Sequence, residues 1–167
     1  MTGIFFGSTM GTTEAVAADI AKQLGVADAD VHNVADTPAG EVQKYDLLVL
    51  GSSTWGAGEL QDDWYGFLDQ LKAQDLSGKK VALFGLGDQA SYSDAFVDAL
   101  GELYDIISET GASVVGFWPN EGYEFNSSNA LDGDDFVGLV IDQDNQSSLT
   151  PERVKSWVSA LKSEFAL

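Results

Sequence analysis

With 167 residues, eight basic side chains and twenty-seven acidic ones, the chain carries a formal charge of −19 and fits one domain able to bury a real core. So acidic a surface repels nucleic acid and anionic membranes; it either favours partners with basic patches or serves solubility alone. The lack of cysteine excludes disulfides, Cys-ligated iron–sulfur clusters and thiol catalysis, and a lone histidine, His32, argues against His-rich metal sites and a Ser-His-Asp triad.

The chain opens on a short apolar run, Ile4-Phe5-Phe6, that fits a buried strand. No basic leader segment and no long apolar stretch precede or follow it, so a cytoplasmic location is expected. A helix is predicted from about Thr12 to Leu24, with Val16, Ala17, Ile20, Ala21 and Leu24 on one face and Gly25 just beyond its end. A weak strand follows near Asp30–Val34 and carries His32. Residues Asp36–Gln43 read as loop with a possible helical turn.

Leu47 to Gly51 is a continuous apolar run, as expected of a strand covered on both faces of a parallel sheet. Ser52–Leu60 reads as a Gly-rich loop and Asp63–Lys72 as a helix burying Trp64, Phe67, Leu68 and Leu71. Lys80–Gly85 is the next buried strand, followed by a loop, Leu86–Ser93. The longest helix is predicted over Asp94–Thr110, ended by Gly111. Ser113–Phe117 is the fifth strand, a polar excursion runs from Trp118 to about Asp135, and Phe136–Ile141 returns as strand. Thr150 reads as the N-cap of a last helix, with Pro151 at its first position.

Strands and helices thus alternate over one domain, residues 1–167. This order predicts an α/β fold with a parallel sheet, helices on both faces and right-handed crossovers. In such sheets ligands sit beyond the carboxyl ends of the strands. The loops Gly7–Thr13, Ser52–Leu60 and Leu86–Ser93 all follow strands and should share that edge.

The first of these loops has the makings of an anion site. Its glycines let backbone approach a ligand, Ser8, Thr9, Thr12 and Thr13 offer hydroxyls, and the following helix points free N–H groups at the turn. An ordinary capped strand-to-helix turn is the alternative. The loop is neither G-x-G-x-x-G nor a Gly-Lys-Ser/Thr P-loop, which argues against a common dinucleotide or NTPase site. The other two loops each present an aromatic, Trp55 and Tyr92. Either ring alone could simply cover the sheet edge. Together, beside a phosphate site, they point to a flat phosphorylated ligand held between rings, each offset-stacked pair contributing roughly 0.5–1.5 kcal/mol.

Four motifs in order carry a resemblance. They are Ser8-Thr9-Met10-Gly11-Thr12-Thr13, Ser53-Thr54-Trp55-Gly56-Ala57-Gly58-Glu59-Leu60-Gln61, Gly87-Asp88-Gln89-Ala90-Ser91-Tyr92 and Asp142-Gln143-Asp144-Asn145-Gln146-Ser147. The chain resembles the flavodoxins over its full length, and the excursion within its fifth strand is similar to that of the long-chain subgroup. The resemblance implies a flavodoxin-like three-layer sandwich with a five-stranded parallel sheet of order 2-1-3-4-5. It implies a low-potential electron carrier on non-covalently bound FMN, not an enzyme, and a monomer.

By that resemblance Ser8, Thr9, Met10, Gly11, Thr12 and Thr13 would hold the FMN phosphate. Trp55 and Tyr92 would flank the isoalloxazine, with Tyr92 the more coplanar. Ser53, Thr54, Gly56, Ala57, Gly58, Leu86, Gly87 and Asp88 would line the ring, and Asp144 would approach the ribityl chain. The Gly56-Ala57 peptide would turn its carbonyl toward the flavin on one-electron reduction and favour a neutral semiquinone. Donors of the ferredoxin–NADP reductase type and ferredoxin-using acceptors such as nitrogenase reductase would be the partners.

Met10 stands where the family usually has threonine, so one phosphate hydroxyl is missing. No lysine or arginine lies on these loops, while Glu59, Asp62, Asp63, Asp88 and Asp144 lie on or near them. Each acid at ~10 Å contributes ~0.4–1.7 kcal/mol against an anionic reduced flavin. A phosphoacceptor receiver would need acids where the chain has Phe6-Gly7 and Gly51-Ser52. A flavodoxin-like quinone or FMN reductase would need a nicotinamide site, for which no motif is present.

Overall fold

In the computed structural model, which describes residues 1–167, chain order runs β1 (Thr2–Gly7), α1 (Thr12–Leu24), β2 (Val31–Asn33), β3 (Leu47–Trp55), β4 (Glu59–Leu60), α2 (Asp63–Leu71), β5 (Lys80–Leu86), α3 (Asp98–Ser108), β6 (Ser113–Val115), β7 (Trp118–Pro119), β8 (Leu131–Asp132), β9 (Asp135–Phe136), β10 (Leu139–Ile141), α4 (Gln143–Gln146) and α5 (Thr150–Glu164). β2, β1, β3 and β5 lie side by side and parallel. The outer place beside β5 is filled twice: β6 pairs with Lys80–Ala82 and β10 with Phe84–Leu86. Counting that split strand once, the order is the expected 2-1-3-4-5.

Side-chain alternation explains how one sheet serves two cores. Ile4, Phe6 and Val49 face α1 and α5, where they pack with Ile20, Val154 and Trp157. Phe5, Leu48 and Leu50 face the other way, toward α2 and α3, and pack with Trp64, Phe67, Leu100 and Leu103. Each large side chain so buried contributes about 1.5–3 kcal/mol. At Gly51 a side chain would run into the ring of Phe84, which crosses β3 at that point.

Several expectations are corrected. The helix predicted from Asp94 begins at Asp98, and the longest helix is α5, of 15 residues against 11 for α3. Residues 94–97 are drawn off by the excursion: Ser127 Oγ donates to the Asp94 carbonyl at 2.6 Å, and the Phe96 N–H donates to the Ser127 carbonyl at 3.2 Å. Val97 then turns through a left-handed φ of 49° before the helix starts.

Phe136–Ile141 is not one strand. Phe136 belongs to a small antiparallel sheet, β7-β9-β8, and the main sheet resumes only at Leu139. At Gly138, between them, a Cβ would collide with the Leu83 carbonyl. At the near end the fifth strand stops at Val115, because Gly116 turns at φ 79°. Last, Thr150 lies within α5 and caps nothing; its hydroxyl donates to Gln143 Oε1 at 2.7 Å.

Ser52–Trp55, read as loop, continues β3 and folds back through an antiparallel pair, Thr54 with Leu60 and Trp55 with Glu59. The excursion, mostly exposed, is anchored to the core through its aromatic side chains. Tyr123 donates to the Val140 carbonyl at 2.6 Å and accepts from Trp118 Nε1 at 2.9 Å, and the chain's single arginine, Arg153, lies 4.1 Å above its ring.

Candidate functional site

The three loops do share one edge, and they enclose a cleft of about 300 Å³. Ser8, Thr9, Met10, Thr12 and Thr13 line it from the first loop, Ser53 to Gly56 from the second, and Leu86, Gly87, Asp88 and Tyr92 from the third. Gln143 and Asp144 close the remaining side. Of the residues singled out from sequence, Gly11, Ala57 and Gly58 stand outside this lining. Gly11 is the left-handed residue at the start of α1, and Ala57 and Gly58 form the hairpin tip beside Asp98 and Glu102.

The floor of the cleft is the N-terminus of α1. Gly11 takes φ 87° and no side chain caps the helix. The first helical bond is Ala15 N–H to the Gly11 carbonyl at 3.0 Å, so the N–H groups of Thr12, Thr13 and Glu14 lack helical acceptors. Ser8 Oγ accepts from the Gly11 N–H at 3.0 Å and closes the turn. Gln61, buried, donates from Nε2 to Thr9 Oγ1 at 3.1 Å, which leaves the Thr9 hydroxyl proton for a ligand. No lysine or arginine lines the cleft. Uncharged donors and a helix dipole are what an anion would meet there.

The walls are aromatic. Trp55 is 41% and Tyr92 48% exposed, unusual for rings of that size. Trp55 is steadied by its Nε1 donating to Ser53 Oγ at 2.8 Å. The Tyr92 loop is held by its own turns: Tyr92 N–H donates to the Asp88 carbonyl at 3.0 Å. Between the walls Thr54 Oγ1 is buried with no hydrogen-bond partner in the protein. An unpaired hydroxyl in a cleft wall leaves a hydrogen bond to offer a ligand. A flat phosphorylated ligand therefore fits the residues present.

Only acids bring charge to this lining. The backbone N–H of Ser91, with Asn145 and the Ala90 N–H, holds the Asp88 carboxyl below the usual carboxylate range. Asp144 goes the other way: partial desolvation, then the charges of Asp88 and Asp142, push its carboxyl up, although the side chain is largely exposed. His32 lies away from the cleft on β2, stacked on Phe5 with ring centroids 4.7 Å apart, its Nε2 2.7 Å from the Tyr45 hydroxyl. Burial lowers its pKa, and its role is structural.

Sequence reasoning passed over Gln61, Gln89, Asp142 and Gln143. All four stand inside the quoted motifs, but a glutamine or one more acid in a polar stretch reads as solvated surface. Only the fold shows that Gln61, Gln89 and Asp142 are buried.

Comparison with known proteins places the chain in a family. The family model described as Flavodoxin matches residues 4–157. A flavodoxin of Synechococcus elongatus is 48% identical over 166 residues, covering 99% of this chain and 98% of that protein. Flavodoxin 1 of Escherichia coli is 51% identical over 168 residues, covering 100% and 96%. Among solved structures, Fusobacterium nucleatum flavodoxin bound to flavin mononucleotide superposes with a TM-score of 0.89 at 32% identity, covering 98% of this chain and 97% of that one.

Proposed function

The chain belongs to the flavodoxin family, low-potential carriers of electrons on FMN that turn over no substrate of their own, and on that premise we propose how its residues hold and tune the cofactor. The N–H groups of Thr12 and Thr13, with the hydroxyls of Ser8, Thr9, Thr12 and Thr13, take the phosphate. Met10 and Gly11 contribute backbone only. Trp55 and Tyr92 flank the ring. Ser53, Thr54, Gly56, Leu86, Gly87 and Asp88 meet its edges, Ala57 and Gly58 approach them from the hairpin tip beyond the lining, and Asp144 with Gln143 faces the chain that joins ring to phosphate. The observation that carries this assignment is the meeting of an uncapped helix end and two half-exposed rings in one cleft.

FMN supplies the electron storage; the protein supplies position and field. With Asp88 and Asp144 in the lining and no cation there, adding negative charge to the cofactor is opposed. Gly56, at φ 53°, lets the Gly56-Ala57 peptide rotate at little steric cost, which supports its turning on one-electron reduction. The surface charge of −19 favours brief, salt-sensitive docking on basic faces of a ferredoxin–NADP reductase-type donor and of ferredoxin-using acceptors. No helix is long and apolar enough to cross a membrane. The cytoplasm is the proposed setting.

The purified protein with FMN tests this reading. A yellow monomer that exchanges electrons with NADPH only when a reductase is added supports it. Rapid NADPH oxidation by the protein alone would make it a reductase, and failure to take up FMN would remove the site assignment.

A further inference from the structure

Asp142, at the end of β10, is fully buried, at 0% exposure. The ion pairs of the structure lie elsewhere, at Met1–Asp46 and Glu41–Lys44, so this carboxylate has no cation beside it. Every partner donates to it. Oδ2 accepts from the Gln89 N–H at 3.1 Å and from Gln89 Nε2 at 2.7 Å. Oδ1 accepts from the Asn145 N–H at 3.0 Å, and Asn145 Nδ2 reaches both oxygens at 3.2 and 3.0 Å. Both oxygens act as acceptors only, as those of a carboxylate anion do. A buried charge without a counter-ion is costly and persists only where such donors replace water.

The donors come from separate parts of the chain. Gln89 belongs to the loop that carries Gly87, Asp88 and Tyr92. Asn145 belongs to the segment that carries Gln143 and Asp144, and its Nδ2 also reaches Asp88 Oδ1 at 2.7 Å. Gln89 Oε1 in turn accepts the Glu124 N–H of the excursion. Three stretches that have no sheet pairing with one another are thus gathered on one carboxylate.

We propose that Asp142 is a positioning residue: a buried anion that locks the Tyr92 loop, α4 and the excursion into one rigid side of the FMN cleft, and that keeps the lower midpoint potential of the bound cofactor down at any salt concentration. The second half rests on the FMN reading above. Exposed acids lose their influence beyond a Debye length of ~8 Å at physiological salt, whereas a buried charge is screened far less. Asp142 stands two residues before Asp144 and bonds Gln89, the neighbour of Asp88, so its charge lies directly behind the part of the cleft wall that those two acids line.

Asp142→Asn tests both halves, because it keeps the shape but turns one acceptor into a donor facing N–H groups. In the apoprotein, backbone hydrogen exchange at Gln89, Glu124 and Asn145 should quicken about tenfold or more, the equivalent of one lost hydrogen bond to a charged group. FMN affinity should fall by a similar factor. The lower midpoint potential should become less negative, with the shift retained at high salt. Unchanged exchange and affinity would overturn the positioning role, and a shift that vanishes in salt would overturn the field. Should that variant not fold, Gln89→Met keeps the charge while removing one donor to it and the acceptor for Glu124. It should speed exchange and weaken FMN binding yet leave the potential in place; native exchange, or a moved potential, would refute the proposal. If wild-type protein takes up no FMN, the cofactor reading fails, while the apoprotein exchange measurement still decides the locking role.

Discussion

Replacing Thr54 by valine should strengthen the empty protein and weaken the loaded one. The Thr54 hydroxyl oxygen is buried and unpaired, and a buried unsatisfied polar atom costs about 1–3 kcal/mol. Valine has nearly the same shape, suits the β3 backbone, and carries no group to satisfy. The apoprotein should gain about 1 kcal/mol, which for a chain of this size raises Tm by about 2–4 °C. Binding should move the opposite way. If the hydroxyl pairs with FMN, the variant leaves a ligand atom without its partner, and affinity falls by about 1–2 kcal/mol, roughly five- to thirtyfold. Urea and thermal unfolding of the apoprotein give the first quantity, and quenching of flavin fluorescence gives the second. A less stable apoprotein would show that the hydroxyl is already satisfied without ligand. An unchanged FMN affinity would show that it does not meet the cofactor.

Three further outcomes are expected. Met10 is 79% exposed, so Met10→Thr should leave unfolding within about 0.5 kcal/mol of wild type. It should tighten FMN binding by roughly 1.5 kcal/mol, about tenfold, through one added hydrogen bond to the phosphate; a fluorescence titration showing equal or weaker binding refutes it. Gly51→Ala drives a methyl into the Phe84 ring in the middle of the sheet and should cost about 1–3 kcal/mol or more, read from the urea midpoint. Asp144 has a carboxyl raised above its unfolded value, so what it contributes is fully present below the unfolded value and is lost as pH rises through the raised one. Apoprotein Asp144→Asn should therefore be the more stable form at neutral pH, with the two converging in acid; urea midpoints across that range check the sign.

Sheet order and the three loops of the cleft were legible because their signals are local. The run Leu47 to Gly51 needs nothing beyond its own side chains to declare a strand buried on both faces, and Ser8 to Thr13 announces a helix start by composition. What escaped depends on distant partners. Residues 94–97 have the pattern of a helix, but Ser127, about thirty positions away, takes their hydrogen bonds. Gln61 and Gln89 look like surface residues until the fold sets Thr9 and Asp142 against them. Asp142 and Asp144 are two places apart in the same acidic motif, yet one is sealed in the interior and the other lies open. Local sequence does not distinguish them, because the difference comes from where β10 ends.

The divided outer strand bears on how this fold tolerates change. Val115 lies opposite Ala82 and Leu139 opposite Phe84, so the chain leaves the border of the sheet and regains it two rungs further on. Whatever is spliced between those rungs leaves the order of the strands untouched, and doubling its length adds only about 0.6 kcal/mol of closure entropy. The molecule thus has an editable margin, where material can be added, traded or trimmed while the barrier between the two cores stays whole. What any such edit must preserve is the foothold on the neighbouring Tyr92 loop, through which a change at the rim would be felt at the cofactor.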